Sequence, residues 1–99
     1  MIKRIVKLTL KDGGGVDFLA IFEASKTAIR SSEGCRHLEL WRQRDAPNVF
    51  FTYSVWDGPE YLEAYRQSAL FRNTWRKTKA LFAAPAEAWS VDVVEEVGV

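Results

Sequence analysis

Residues 2–10 alternate between two sides, with Ile2, Arg4, Val6, Leu8 and Leu10 on one and Lys3, Ile5, Lys7 and Thr9 on the other. A period of two rich in β-branched residues predicts a strand. The glycines of Lys11-Asp12-Gly13-Gly14-Gly15 are expected to end it in a loop. From about Val16 to Ser32 the period lengthens, and Phe18, Ile21, Phe22, Ser25, Ala28 and Ile29 fall on one helical face. Gly34 is placed to close that helix in a left-handed turn. Alternation returns over Cys35 to Arg44, where Leu38 and Leu40 oppose His37, Glu39 and Trp41. It continues over Val49 to Trp56, with Phe50, Thr52, Ser54 and Trp56 on one side and Val49, Phe51, Tyr53 and Val55 on the other. The turn residues Asp45-Ala46-Pro47-Asn48 make these two strands a hairpin.

Asp57-Gly58-Pro59-Glu60 then starts a helix, because proline lacks the N–H that a first helical residue leaves unsatisfied. Leu62, Tyr65 and Ala69, followed by Phe71, Trp75, Thr78 and Phe82, recur every three or four residues. A break is expected near Ser68, which can cap a new helix. Ala83-Ala84-Pro85-Ala86 interrupts the pattern, and Glu87 to Glu96 reads as a last strand with Trp89, Val91 and Val93 on one face. The element order is βαββαβ. Right-handed crossovers put both helical segments on one face of the sheet. The simplest packing is a ferredoxin-like α+β domain, residues 1–99, with an antiparallel sheet in the order 4-1-3-2. In that order Lys3 and Lys7 are expected to meet Asp92, Glu95 or Glu96 on the last strand. Helices cover only one of the sheet's two apolar surfaces, and a large exposed apolar patch is uncommon on a monomer. A second copy is the expected cover, giving a homodimer in the form of a dimeric α+β barrel.

Composition narrows the function without naming it. Apolar residues make up 47% and charged residues 27%, the balance of a folded globular chain. Six Phe, four Trp and three Tyr in 99 residues need a core, an interface or a ligand pocket. A net charge of +1 gives no case for a nucleic-acid partner, although the βαββαβ order and third-strand aromatics are shared with RNA recognition modules. No apolar run approaches the ~20 residues of a membrane span, and a cytoplasmic location is expected. The lone Cys35 reads as a small buried apolar residue. No metal or other cofactor is expected, since one histidine and one cysteine make a poor ligand set. The triple glycine lacks the lysine and hydroxyl of a phosphate loop.

Four aromatics from the strand end and the helices, Trp56, Tyr65, Phe71 and Trp75, are expected to surround one volume, the candidate site. Thr52 shares the side of Trp56 and is a candidate for its floor. His37 is the reserve base, provided that its side of the strand faces the site. Arg66, Arg72, Arg76, Lys77 and Lys79 form a basic run, ordinarily a solvated helix face. The turn after Trp75 also lets Arg76 anchor an anionic or phenolate ligand.

The chain resembles the antibiotic-biosynthesis monooxygenase-like family of dimeric α+β barrels from Lys3 to about Val94. The resemblance is carried by Glu33-Gly34-Cys35, by Tyr53-Ser54-Val55-Trp56, and by Glu60-Tyr61-Leu62-Glu63-Ala64-Tyr65 with Ser68-Ala69-Leu70-Phe71. It implies a cofactor-independent monooxygenase acting on a small aromatic or quinol-type molecule. Tyr65 would then hydrogen-bond the substrate oxygen, while Val6, Thr52, Trp56, Phe71, Trp75 and Arg76 contact the substrate. The chain departs from the family where many members carry histidines, since it has Tyr65 and Leu70 there. A haem-degrading branch uses an asparagine, a tryptophan and a histidine where this chain has Val6, Tyr65 and Trp75, so haem cleavage is not implied. Two other readings stay open: a non-catalytic ligand-binding barrel, and a cofactor-free isomerase or decarboxylase.

Overall fold

Each alternating stretch of sequence forms a strand, and the helical stretches cover one side of the resulting sheet. The computed structural model describes residues 1–99, in the order β1 (Ile2–Thr9), α1 (Gly14–Arg30), β2 (Cys35–Arg42), β3 (Val49–Trp56), α2 (Pro59–Arg66), α3 (Ala69–Lys79) and β4 (Glu87–Val91). The strands lie in the order β2-β3-β1-β4, and every neighbouring pair is antiparallel. This is the expected 4-1-3-2 order read from the other edge. β1 pairs with β3 along its full length, from Ile2 opposite Trp56 to Thr9 opposite Val49.

The register divides the sheet into two faces. Val6, Leu8, Leu38, Thr52, Ser54 and Trp56 point toward the helices. Ile5, His37, Glu39, Tyr53 and Trp89 belong to the alternate rows and the outer face. Under the helices Leu8, Leu10, Phe18 and Phe50 make one buried cluster. The Phe18 and Phe50 rings sit 5.2 Å apart in a tilted pair. A second cluster joins Cys35, Trp56 and Leu62 at the far end of the sheet. Cys35 is thus a core residue, and burial pushes its thiol up.

The start of α1 and the end of β4 differ from the sequence reading. α1 begins at Gly14, inside the expected loop. Gly13 makes the turn with a φ of 79°, where side-chain-bearing residues are strained. Gly14 then packs so closely that a Cβ would meet Leu10 Cβ at 3.4 Å, and at Gly15 one would meet the Phe50 ring at 3.4 Å. The glycines therefore seat the helix on the sheet. Gly34 adopts the expected left-handed conformation, beyond the end of α1, and a Cβ there would collide with Tyr61. β4 stops at Val91 instead of Glu96, because Val91 pairs with Lys3 and β1 has almost no chain left to bond further residues. As a result Lys7 meets Glu87 at 3.9 Å, and the Lys3 ammonium sits 5.5 Å from the centre of the Tyr53 ring. The carboxylates Asp92, Glu95 and Glu96 follow the strand's end.

The break between the helical turns falls where Ser68 predicts it. Ser68 Oγ accepts the Phe71 N–H at 3.1 Å and donates to the Tyr65 carbonyl at 2.6 Å. One hydroxyl closes α2 and opens α3, which holds Tyr65 and Phe71 against one another.

Candidate functional site

A cavity of about 280 Å³ lies between the inner face of the sheet and the helices. Small-molecule pockets begin at about 300 Å³, so this one fits a compact ring system. Its aromatic wall runs continuously along α2 and α3. Trp56 stacks on Tyr65 with centroids 5.0 Å apart, and Tyr65 meets Phe71 edge to face at 5.3 Å. Phe71 stacks on Trp75 at 5.7 Å, and behind the wall Trp75 meets Phe82 of the core at 5.5 Å. Helical spacing gives the Phe71–Trp75 step, four residues apart on α3, and the break at Ser68 gives the Tyr65–Phe71 step. Val6 and Thr52 line the sheet side.

Polar groups on this wall are held in place. The Trp56 indole N–H donates to Ser54 Oγ at 2.9 Å in a buried pair, which fixes the indole plane. Thr78 is buried and donates to the Thr74 carbonyl at 2.8 Å. Burial, and after it the neighbouring Cys35 thiol, pushes the Tyr65 phenol up from 10.0 to about 12. At neutral pH Tyr65 is therefore a neutral hydroxyl, fit to donate a hydrogen bond and unfit to act as an anionic base.

The structure brings together Val6, Thr52, Trp56, Tyr65, Phe71 and Trp75 around one volume, and leaves out two of the expected residues. His37 stands on the outer face beside Tyr53, hydrogen-bonded to Glu39, with the sheet between it and the cavity. The alternation of β2 dictates this: Leu38 turns inward, so His37 turns outward. Arg76 is exposed on α3 and donates to Asn73 at 3.4 Å, and it does not line the cavity.

Instead the cavity's cations are Arg4 and Arg66. The sequence carries a signal for Arg4 that composition hides: it is the one charge in the inward row Ile2, Arg4, Val6, Leu8 and Leu10. Arg66 lies in the basic run, one residue beyond Tyr65, where charge alone gives no direction. No three His, Cys, Asp or Glu side chains are grouped to hold a metal ion. No helix is long and apolar enough to cross a membrane.

A family model described as antibiotic biosynthesis monooxygenase matches residues 1–77, which hold every element up to α3 except its last turn. No curated protein matches the sequence. Among solved structures the chain is similar to an antibiotic biosynthesis monooxygenase at 17% identity, covering 96% of this chain and 100% of that one, with a TM-score of 0.90. It is similar to Rv0793 from Mycobacterium tuberculosis at 18% identity, covering 98% of each chain, with a TM-score of 0.88. It is also similar to a mutant of SnoaB, a cofactor-independent oxygenase from Streptomyces nogalater, at 17% identity, covering 97% and 95% of the two chains, with a TM-score of 0.85. At such identities the likeness establishes a shared fold.

Proposed function

The chain belongs to the antibiotic biosynthesis monooxygenase family, and from that premise we propose that it oxygenates a small aromatic or quinol-type molecule held in the cavity, without a cofactor. The observation that carries this reading is a neutral, largely buried tyrosine set in an otherwise aromatic and aliphatic hollow. The chemistry asks for little more. An electron-rich ring that has lost a proton supplies electrons to O₂ itself. In an anthrone a ring CH₂ becomes C=O, and in a quinol a ring C–H becomes C–OH as the ring is oxidised to the quinone; in each, one oxygen atom of O₂ enters the product and the other leaves as water. Tyr65 would donate to the substrate oxygen as charge develops there. Trp56, Phe71 and Trp75 would hold the ring and keep water from the reactive anion. The oxygenase from Streptomyces nogalater with the same fold is described as cofactor-independent, in keeping with this reading.

Oxygen uptake with a panel of quinols and anthrones tests it, run with isotope-labelled O₂ and product analysis. One labelled atom in the product and one in water is the expected result. Ligand-induced quenching of tryptophan fluorescence with no turnover on any substrate would replace the oxygenase with a binding module.

The same reading takes the outer sheet face as the seat of a second copy, since Trp41, Trp89 and Val91 are exposed there. Sedimentation at the mass of two chains is expected, and single-chain mass would remove the barrel.

A further inference from the structure

We propose that the cavity is an anion site, in which Arg4 selects aromatic molecules that carry a negatively charged oxygen, with Arg66 assisting from the rim. This rests on the cavity being the substrate site and names the class of substrate it takes.

The cavity's charge is one-sided. Among its nineteen lining residues the only ionic side chains are Arg4 and Arg66, with no Asp, Glu, Lys or His. The chain as a whole has 14 basic and 13 acidic residues, so a hollow with two cations and no anion is no reflection of composition. The position of Arg4 makes the imbalance matter. It comes off β1 in a row of aliphatic residues, and its side chain is partly buried beside Ser90 of β4.

Its partners are few. A guanidinium has five N–H donors, and Arg4 donates to Ser90 Oγ at 3.0 Å, a neutral acceptor. The five ion pairs of the protein engage Lys7, Lys26, Arg36, His37 and Arg66, and Arg4 is in none of them. Arg36 shows what a structural arginine looks like here: its Nε lies 2.6 Å from the Asp57 carboxylate. Arg66 is partly engaged, with Glu63 at 3.3 Å one turn away on an exposed surface. Arg4 therefore has the greater capacity for a ligand.

Burial, and then the charge of Arg66, hold the Arg4 pKa below the usual guanidinium range, though it remains a cation at neutral pH. Glu63, paired with Arg66, offsets this only from a distance; a partly buried cation with no carboxylate of its own is costly, and an anionic oxygen in the cavity relieves that cost. The planar fork of the guanidinium suits a carboxylate or an ionised ring hydroxyl. Such a site also removes the need for His37. None of the groups on the cavity wall takes up a proton at neutral pH, so the ligand is bound as an anion or sheds its proton to water beside the two guanidinium groups.

Three probes of one shape test this: naphthoate, its neutral carboxamide, and naphthol. Affinities are read by calorimetry on the intact protein, with circular dichroism confirming that each variant is folded. Wild type is expected to bind naphthoate about tenfold or more tightly than the carboxamide, as a charge-assisted hydrogen bond predicts. Arg4→Met should abolish that preference and leave carboxamide affinity within about twofold of wild type. Arg4→Lys should restore part of it, and Arg66→Gln, at the exposed rim, should reduce it less.

If bound naphthol ionises at a lower pH than free naphthol, the anion is a phenolate. Selectivity confined to naphthoate makes it a carboxylate. Equal binding of naphthoate and carboxamide by wild type overturns the proposal, as does an equal loss of both in Arg4→Met. Oxygenation of a neutral quinol with no charge preference would sink the anion site and leave the oxygenase standing. Charge-selective binding with no turnover on any quinol would do the reverse.

Discussion

The two faces of the sheet are made from the same alternating strands and both carry large apolar side chains, yet they differ in what they leave unmet. On the outer face the polar groups satisfy one another. Glu39 accepts from the Trp41 indole at 2.8 Å and bonds His37, Lys7 meets Glu87, and Lys3 lies over Tyr53. Trp41 and Tyr53 stack flat with centroids 5.0 Å apart. What this face lacks is cover for apolar surface. The inner face is covered by helices but is not filled, and it holds a cation with a single neutral partner. In the proposed reading one face takes a second protein surface and the other a small molecule. Apolar side chains on both faces are therefore compatible with two different roles, and the pairing state of the charges tells them apart.

The largest effect expected from breaking this comparison comes from truncating one tryptophan on each face. Trp56 is 1% exposed and Trp89 is 44% exposed. Trp56→Ala should cost about 3–5 kcal/mol in urea unfolding, the loss usual for a buried aromatic. Trp89→Ala should change the stability of the single chain by about 0.5 kcal/mol or less, while weakening self-association in sedimentation.

A second expectation concerns pH. The folded-state pKa of Tyr65, about 12, lies above its ordinary value of 10.0. Its contribution to stability is therefore complete below pH 10 and is lost as the pH rises toward 12. Urea titrations across that window should show a shallower decline in Tyr65→Phe than in wild type. Parallel declines would mean that Tyr65 ionises as freely as in the unfolded chain. A modest effect is expected of Ser68→Ala, about 1 kcal/mol for the lost cap. Because the same hydroxyl sets the angle between α2 and α3, ligand binding should weaken more than this modest loss of stability suggests.

Much of this architecture is legible in the residues. Period-two stretches gave the strands, Pro59 and Ser68 marked the helix starts, and Trp56, Tyr65, Phe71 and Trp75 marked the aromatic wall of the cavity. Other features depend on distant partners. β4 ends where β1 runs out of chain, although Val93 and Val94 continue an apolar pattern. Three adjacent glycines look like a loop locally, and only the approach of Leu10, Leu81 and Phe50 shows why small residues stand inside a helix. His37 drew attention by its chemistry, but the parity set by Leu38 and Leu40 already turned it away from the core. Arg4 stood in plain view in the opposite sense, a lone charge on the inward parity of β1. The turn after Trp75 had suggested Arg76 for the anion; the inward parity of β1 is why we propose Arg4 instead.

The inner face as the seat of chemistry is tested most directly by oxygen uptake with one quinol substrate, compared between wild type, Tyr65→Phe and His37→Ala. The account predicts a turnover number about tenfold lower in Tyr65→Phe, the loss of one hydrogen bond to the reacting oxygen, and an unchanged rate in His37→Ala. A rate that collapses in His37→Ala and survives in Tyr65→Phe would move the reaction to the other side of the sheet and contradict it.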